Sequence, residues 1–219
     1  MTTPTIDFTL WRDQRGYMLL PKAPLPPRRA GQSRFDRILD TPVSCMFDRI
    51  VGRGGPLVPY KSISKIPELF KIFATISRTP KGVLDFISNY GPFTHAGIAG
   101  GTGDTVATII DQAEEMTKRL NLLSADSRLG AKIPITSLRG FLVTDRATGG
   151  IALKIVPSTL RDALWLQLAQ ALSDGTRMRK CRHCDEWFRA GAGTDRRADA
   201  EFCSDEHRKR HNSLKRSKG

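Results

Sequence analysis

The sequence contains few of the features that mark membrane, secreted or disulfide-bonded proteins. No apolar run reaches the roughly 18 residues that a membrane-spanning helix needs, so we expect no membrane partner. The first 21 residues lack a basic region followed by an apolar stretch, which argues against a secretory signal peptide. Four cysteines among 219 residues are too few for a disulfide scaffold. These absences together predict a cytoplasmic protein.

Acidic residues are also in deficit. The chain has 35 Lys and Arg against 22 Asp and Glu, and a formal net charge of +13. Residues 177–219 hold 13 basic and 7 acidic residues, and residues 208–219 hold six basic residues and no acidic one. A basic terminus of this kind is typical of proteins that bind an anionic partner, with nucleic acid as the first candidate. A solvated tail that only aids solubility is the alternative.

The order of apolar and polar residues predicts an α+β protein in three parts. Residues 1–60 form an N-terminal segment with strands and a Pro-rich linker, 61–176 a mainly helical domain with a small β-hairpin, and 177–219 a C-terminal module. Alternating apolar residues at 6, 8 and 10 predict a first strand, and residues 18–20 are its expected partner. Residues 21–33 are rich in proline, and residues 52–55 predict a turn.

Capping residues mark the predicted helices. Thr79, Asp104 and Ser158 are each expected to cap a helix, and Gly91 and Gly175 are expected to follow a C-terminus. The predicted elements are helices over 66–76, 80–90, 104–123 and 160–172, and a hairpin over 140–157.

Two features outside the C-terminal module have a plain structural interpretation. The Gly-rich segment 91–103, which holds His95, resembles a phosphate-binding loop, but no strand precedes it and no GK[ST] follows it. We therefore interpret it as a connector. Cys45 stands apart from the other cysteines, and we expect it to be a small buried apolar residue.

The other three cysteines are clustered near the C-terminus. In a reducing compartment, such cysteines are more often metal ligands than disulfide partners. Two residues separate Cys181 from Cys184, so that a tight turn can aim both thiolates at one ion. Cys203 and His207 are four apart and can face the same side of a helix that Ser204 caps and that runs to about residue 215. The pattern predicts a Cys3His zinc site.

The fourth ligand has two alternatives. His211 lies one turn beyond His207 and would need a longer reach, and His183 lies between two ligands and is expected to point outward. Four protein ligands leave no position for a reactive water, so we expect a structural Zn²⁺ ion, no catalytic residue and no enzyme activity. A knuckle, a ribbon or loop and a helix are typical of a treble-clef-like or ribbon-like zinc finger. Because so short a module has little core, the metal should supply most of its folding energy.

The predicted zinc finger also carries candidate nucleic-acid contacts. Its cations surround the last helix and the loop before it, which favours contact with phosphates over reading of bases. Asn212 and Ser213 are secondary candidates for hydrogen bonds to a base. Trp187 and Phe188 could stack on a base, but packing over the metal site is the preferred interpretation for at least one of them. The predicted phosphate contacts are Arg196, Arg197, Arg208, Lys209, Arg210, Lys215 and Arg216.

Three motifs carry a family resemblance: LRDALWLQLAQALSDG, CRHCDEWF and FCSDEHRKR. With these motifs, and with the segment 66–91, residues 60–219 resemble bacterial proteins that join an ABATE-type domain to a C-terminal CGNR-type zinc finger. Those proteins are described as stress-induced transcription regulators, so the resemblance implies DNA binding and zinc on Cys181, Cys184, Cys203 and His207. The family's fourth ligand is a cysteine followed by Gly-Asn-Arg. Here His207 is followed by Arg-Lys-Arg.

The residues and the resemblance together predict a bacterial zinc-binding protein that binds nucleic acid, with DNA preferred over RNA, and that regulates transcription, with a homodimer as one assembly. An adaptor for protein–protein interaction, stabilised by zinc, is the alternative function. A nuclease is a third, prompted by HRKRHN at 207–212, but the segment lacks a usable His-Asn-His spacing.

Overall fold

A computed structural model of the chain describes most of its length. Among the described residues the fold is mixed α+β, with five α-helices and four small antiparallel sheets. Predictions about Cys45, His95, Gly175 and most of the Pro-rich linker lie outside these residues. None of the described helices combines the length and apolar composition that crossing a bilayer requires. The described residues are 8–24, 47–94, 103–124, 138–144, 149, 151–173, 176–191 and 193–216.

Five strands form two sheets in the first half of the chain. They are β1 (Thr9–Asp13), β2 (Tyr17–Leu20), β3 (Arg49–Gly52), β4 (Leu57–Ser62) and β5 (Asp104–Thr105). Strand β1 pairs with β4, and β3 lies between β2 and β5. The predicted pairing of residues 18–20 with the first strand is therefore wrong. The carboxylate of Asp13 accepts the backbone N–H of Gly55, in the predicted turn before β4, at 3.0 and 3.1 Å, and this holds β1 beside β4.

The second predicted helix is confirmed at both ends. Helix α1 spans Leu69–Ala74 and helix α2 spans Pro80–Tyr90. The hydroxyl of Thr79 accepts the N–H of Gly82 at 3.1 Å, as an N-cap does. The N–H of Gly91 donates to Ile87 O at 2.8 Å, and its φ of +94° ends the helix. Phe73 and Phe86 pack α1 against α2, with ring centroids 5.2 Å apart.

The first predicted helix, over 66–76, is shorter than expected. Pro67 disfavours helical backbone at Ile66, which adopts φ −127° and ψ 69°. Glu68 then adopts a left-handed φ of 69°, so the helix begins only at Leu69. Ile72, an apolar residue of this short helix, is 45 % exposed.

The third helix is confirmed, but its cap is not. Helix α3 spans Val106–Ser124. Asp104 belongs to β5 and is buried, and its carboxylate accepts the N–H groups of Phe93 at 2.8 Å and Thr94 at 3.0 Å. The hydroxyl of Thr105 accepts the N–H of Thr108 at 3.2 Å and so takes the capping role. The Asp104 carboxylate thus binds the backbone of Phe93 and Thr94, which lie 11 and 10 residues earlier in the chain, instead of capping α3.

The predicted hairpin and the helix after it are confirmed. The hairpin comprises β6 (Leu138–Thr144) and β7 (Ile151–Pro157), and helix α4 spans Leu160–Ser173. Thr159, rather than Ser158, accepts the N–H of Asp162 at 3.1 Å and donates to the Asp162 carboxylate at 2.8 Å. Helix α4 is buried on most of its circumference, since Asp162, Leu164, Trp165 and Leu168 are all fully buried.

The C-terminal module contains the last three elements. They are β8 (Thr176–Lys180), β9 (Trp187–Gly191) and helix α5 (Asp205–Arg216). The β8–β9 hairpin joins two cores: Met178 and Trp187 pack into the main core with α3 and α4, while Cys181, Phe188 and Ala190 form a small second cluster. The hairpin therefore fixes the start of the module against the helices.

Candidate metal centre

The first pair of candidate ligands lies in the turn that connects β8 to β9. The N–H of Asp185 donates to Cys181 O at 2.9 Å, and the N–H of Cys181 donates to Glu186 O at 3.0 Å. Asp185 adopts a left-handed φ of 57°, a conformation that aspartate tolerates better than most residues. The turn is tight enough to bring Cys184 back beside Cys181.

The second pair lies at the start of α5. The hydroxyl of Ser204 accepts the N–H of His207 at 3.1 Å and caps the helix, as predicted. His207 thus occupies the first turn of α5, one turn beyond Cys203. The Nδ1 atom of His207 lies 3.1 Å from Sγ of Cys203.

The two pairs meet at one point. Sγ of Cys184 lies 3.8 Å from Sγ of Cys203, and Sγ of Cys181 lies 3.7 Å from Nδ1 of His207. One ligand atom from each of the four residues lies within 4.8 Å of the others. The group is therefore positioned to hold one metal ion.

The surroundings shift the pKa values of two thiols of this group, Cys181 and Cys203, in opposite directions. Burial raises the pKa of Cys181, but hydrogen bonds from the backbone of Cys203, Cys184 and His183 and from the His207 side chain outweigh it and lower the pKa to about 6. Burial, hydrogen bonds with Cys181 and Cys184, and their like charge raise the pKa of Cys203 to about 11. The group thus favours one thiolate but disfavours ionisation of a second thiol. The positive charge of a bound cation would favour that second ionisation.

Contacts outside the ligand group hold its two halves together. The N–H of Arg182 donates to Glu201 O at 3.0 Å, and their side chains form an ion pair at 2.8 Å. Ala200 and Phe202 also pack against the small second cluster, which contains Phe188. The segment before Cys203 is thus bound to the knuckle by backbone, charge and apolar contacts.

The other two histidines lie next to the group but do not belong to it. The ring of His211 packs on Phe202, with centroids 5.2 Å apart. The ring of His183 lies 4.8 Å from the ring of His207, also centroid to centroid. Of the three histidines considered for the fourth ligand, the structure places His207 with the cysteines.

The two aromatic residues after the knuckle are both buried. Phe188 packs with Cys181 in the second cluster, and Trp187 packs in the main core. The interpretation that one of them covers the metal site holds for Phe188. Because Trp187 is 5 % and Phe188 is 7 % exposed, neither ring is available for stacking on a base.

The predicted phosphate contacts differ in their surroundings. Five are exposed on α5, Arg197 is exposed and Arg196 is half-buried. Arg196 and Arg208 both lie near the Asp205 carboxylate, at 3.4 and 3.7 Å, and Arg210 pairs with Glu206. Sequence reasoning missed these pairs, although the spacing of three or four residues within the helix signals two of them.

The remaining cations of α5 are unpaired within the described part of the chain. Lys209, Lys215 and Arg216 form no ion pair with any described residue, and all three are exposed. Lys209 and Arg216 are seven residues apart, so they lie two turns apart on one side of the helix. They are the cations most available to an external anion.

A comparison of the chain with known protein families, curated proteins and solved structures finds no match to any of them. The resemblance to CGNR-type zinc finger proteins therefore stays a prediction.

Proposed function

We propose that residues 177–219 form a zinc finger. Tetrahedral zinc with bonds of about 2.3 Å to sulfur and 2.0–2.1 Å to nitrogen places two sulfur atoms about 3.8 Å apart and sulfur and nitrogen about 3.6 Å apart. The separations of 3.8 Å between Cys184 and Cys203 and 3.7 Å between Cys181 and His207 fit these values. The 3.1 Å between Cys203 and His207 is shorter than the tetrahedral value. The observation that carries the proposal is therefore the convergence of all four ligand atoms within 4.8 Å of one another.

The zinc has a structural role in this proposal. Three cysteines and one histidine complete its coordination and leave no open position for a substrate or a water. Few side chains besides the ligands are buried in the module's own cluster, so the metal replaces a core. A knuckle after one strand and a ligand pair at the start of a helix support a treble-clef-like arrangement.

The finger presents α5 to the phosphate backbone of nucleic acid. Apart from the half-buried His207 and His211, the residues of the helix are exposed. Lys209 and Arg216, on one side, have no acidic partner among the described residues. The net charge of +13 adds a long-range attraction for polyanions. We propose DNA as the nucleic acid and transcription regulation as the role, supported by the resemblance of the motifs around Cys181 and Cys203 to CGNR-type bacterial regulators.

A salt titration of the zinc-loaded chain on a short DNA duplex tests this function. Binding should weaken steeply between roughly 50 and 200 mM salt, because each neutralised phosphate releases a counterion. The double variant Lys209→Gln/Arg216→Gln should reduce the slope of log K against log salt by about 2. Lys81→Gln/Lys118→Gln removes the same charge from exposed positions on α2 and α3 and should leave the slope unchanged.

The adaptor function has one observation in its favour. Leu214, on α5, is 55 % exposed, and two acidic residues of the helix offset part of its charge. If the zinc-loaded chain fails to bind DNA at low salt, or if the charge variants bind as the unmodified chain does, the nucleic-acid proposal is wrong. The adaptor would then be the better account of α5.

A further inference from the structure

A cavity of about 370 Å³ lies in the body of the protein, outside the metal centre. It lies between the β1–β4 sheet, the end of α2 and the start of α4, and it is open to solvent on one side. Three aromatic side chains line it, those of Phe8, Trp11 and Tyr90, together with apolar atoms of Leu57 and Leu160. Its volume falls within the range of small-molecule sites, and its walls are mainly apolar, as such sites are.

Close backbone contacts fix the walls of this cavity. Gly91 packs directly on Trp11, and a Cβ at Gly91 would overlap the carbonyl oxygen of Trp11. On the opposite side, the N–H of Arg161 in α4 donates to Phe93 O at 3.2 Å. The buried carboxylate of Asp104 holds the Phe93 N–H. The cavity is therefore a preformed feature of the fold.

A second cavity, of about 350 Å³, adjoins the first and shares Phe8, Trp11 and Ser158 with it. It extends to Arg139 of β6. Among the described residues that line either cavity, Arg139 is the one charged side chain. Arg139 forms no ion pair or hydrogen bond with another described residue, so its guanidinium is available to a ligand.

We propose that the two cavities form one binding site for a small aromatic carboxylate. Aromatic walls favour flat rings, which would occupy the part lined by Trp11 and Tyr90. The guanidinium of Arg139 would bind the carboxylate at the other end, since its planar donors match two carboxylate oxygens. The net charge of +13 favours an anionic ligand over a cationic one. This site is independent of the metal centre and of DNA binding.

Calorimetric titration of the full chain with 2-naphthoate tests the proposal, and 2-naphthalenemethanol is its uncharged counterpart. We expect saturable binding of one naphthoate per chain, about tenfold tighter than that of the alcohol. Arg139→Gln should remove this difference, because only the acid uses the guanidinium. Lys118→Gln removes a charge from the exposed side of α3 and should keep the difference.

A second variant tests the aromatic wall. Trp11 is 46 % exposed, so the Trp11→Leu variant should fold. This variant should bind both the acid and the alcohol roughly tenfold more weakly. The melting temperature of each variant shows whether it is folded. The proposal is overturned if naphthoate does not bind saturably, if acid and alcohol bind equally, or if folded Arg139→Gln and Trp11→Leu proteins bind as the unmodified chain does.

Discussion

Nδ1 of His207 lies 3.1 Å from Sγ of Cys203, which places these two side chains at one point at the start of α5. The Ser204 cap begins the helix between them and so sets the direction of the imidazole. The knuckle supplies the other half of the group, and its nearer cysteine, Cys184, lies 19 residues before Cys203. Each half is built locally, but the group exists only where the two segments meet.

Removal of the metal should therefore affect the C-terminal module selectively. A strong chelator should abolish the amide-exchange protection of α5, because the small cluster around Phe188 cannot hold the helix alone. Protection of α3, which packs in the main core, should persist. Hydrogen exchange measured by mass spectrometry separates the two helices. Equal protection of α5 with and without chelator would show that the metal is not what organises the module.

Acid should release the metal, because protons compete with zinc for the three thiolates and the imidazole of the group. The chain should keep its zinc at neutral pH and lose it in acid. Protection of α5 against amide exchange should be lost at the same pH as the zinc.

Metal content after gel filtration at a series of pH values measures this release. Zinc content that stays the same from neutral to acid pH, or loss of α5 protection while the zinc is retained, would contradict this prediction.

The contact between Gly91 and Trp11 predicts a sensitive position in the body. Gly91→Ala combines an unfavourable φ of +94° with overlap of the Trp11 carbonyl, and should destabilise the fold by about 3 kcal/mol or more. Gly54→Ala is a matched control, because Gly54 has a φ of +77° but no atom within 4 Å of its Cβ position. This variant should reduce the free energy of unfolding by only about 1 kcal/mol. Urea unfolding compares the two, and equal losses would contradict the close contact.

Features that depend on neighbouring residues could be predicted from the sequence. Thr79, Pro80 and Gly91 set both ends of α2 through contacts within one turn, and the hairpin of β6 and β7 follows from two β-prone runs around a turn. The ligand spacing is local in the same way: a two-residue gap forms a turn, and a four-residue gap forms one helical turn.

Features that depend on distant parts of the chain could not be predicted. Asp104 is a good capping residue by type, but its carboxylate is used by Phe93 and Thr94. Strand β1 pairs with β4 rather than with the nearer β2, and Asp13 binds Gly55 across 42 positions of sequence. The aromatic cavity is formed by residues from separate elements, and no sequence pattern places them side by side.

Metal analysis of the purified chain tests the central claim most directly, because the claim assigns four ligands to one zinc ion. We predict about one zinc per chain, and a loss of affinity of at least about 100-fold in His207→Ala, since even residues that only support a ligand contribute 10–100-fold. His211→Ala, which removes a ring packed on Phe202, should keep the full zinc content. No bound zinc in the unmodified chain, or full zinc content in His207→Ala, would contradict the account.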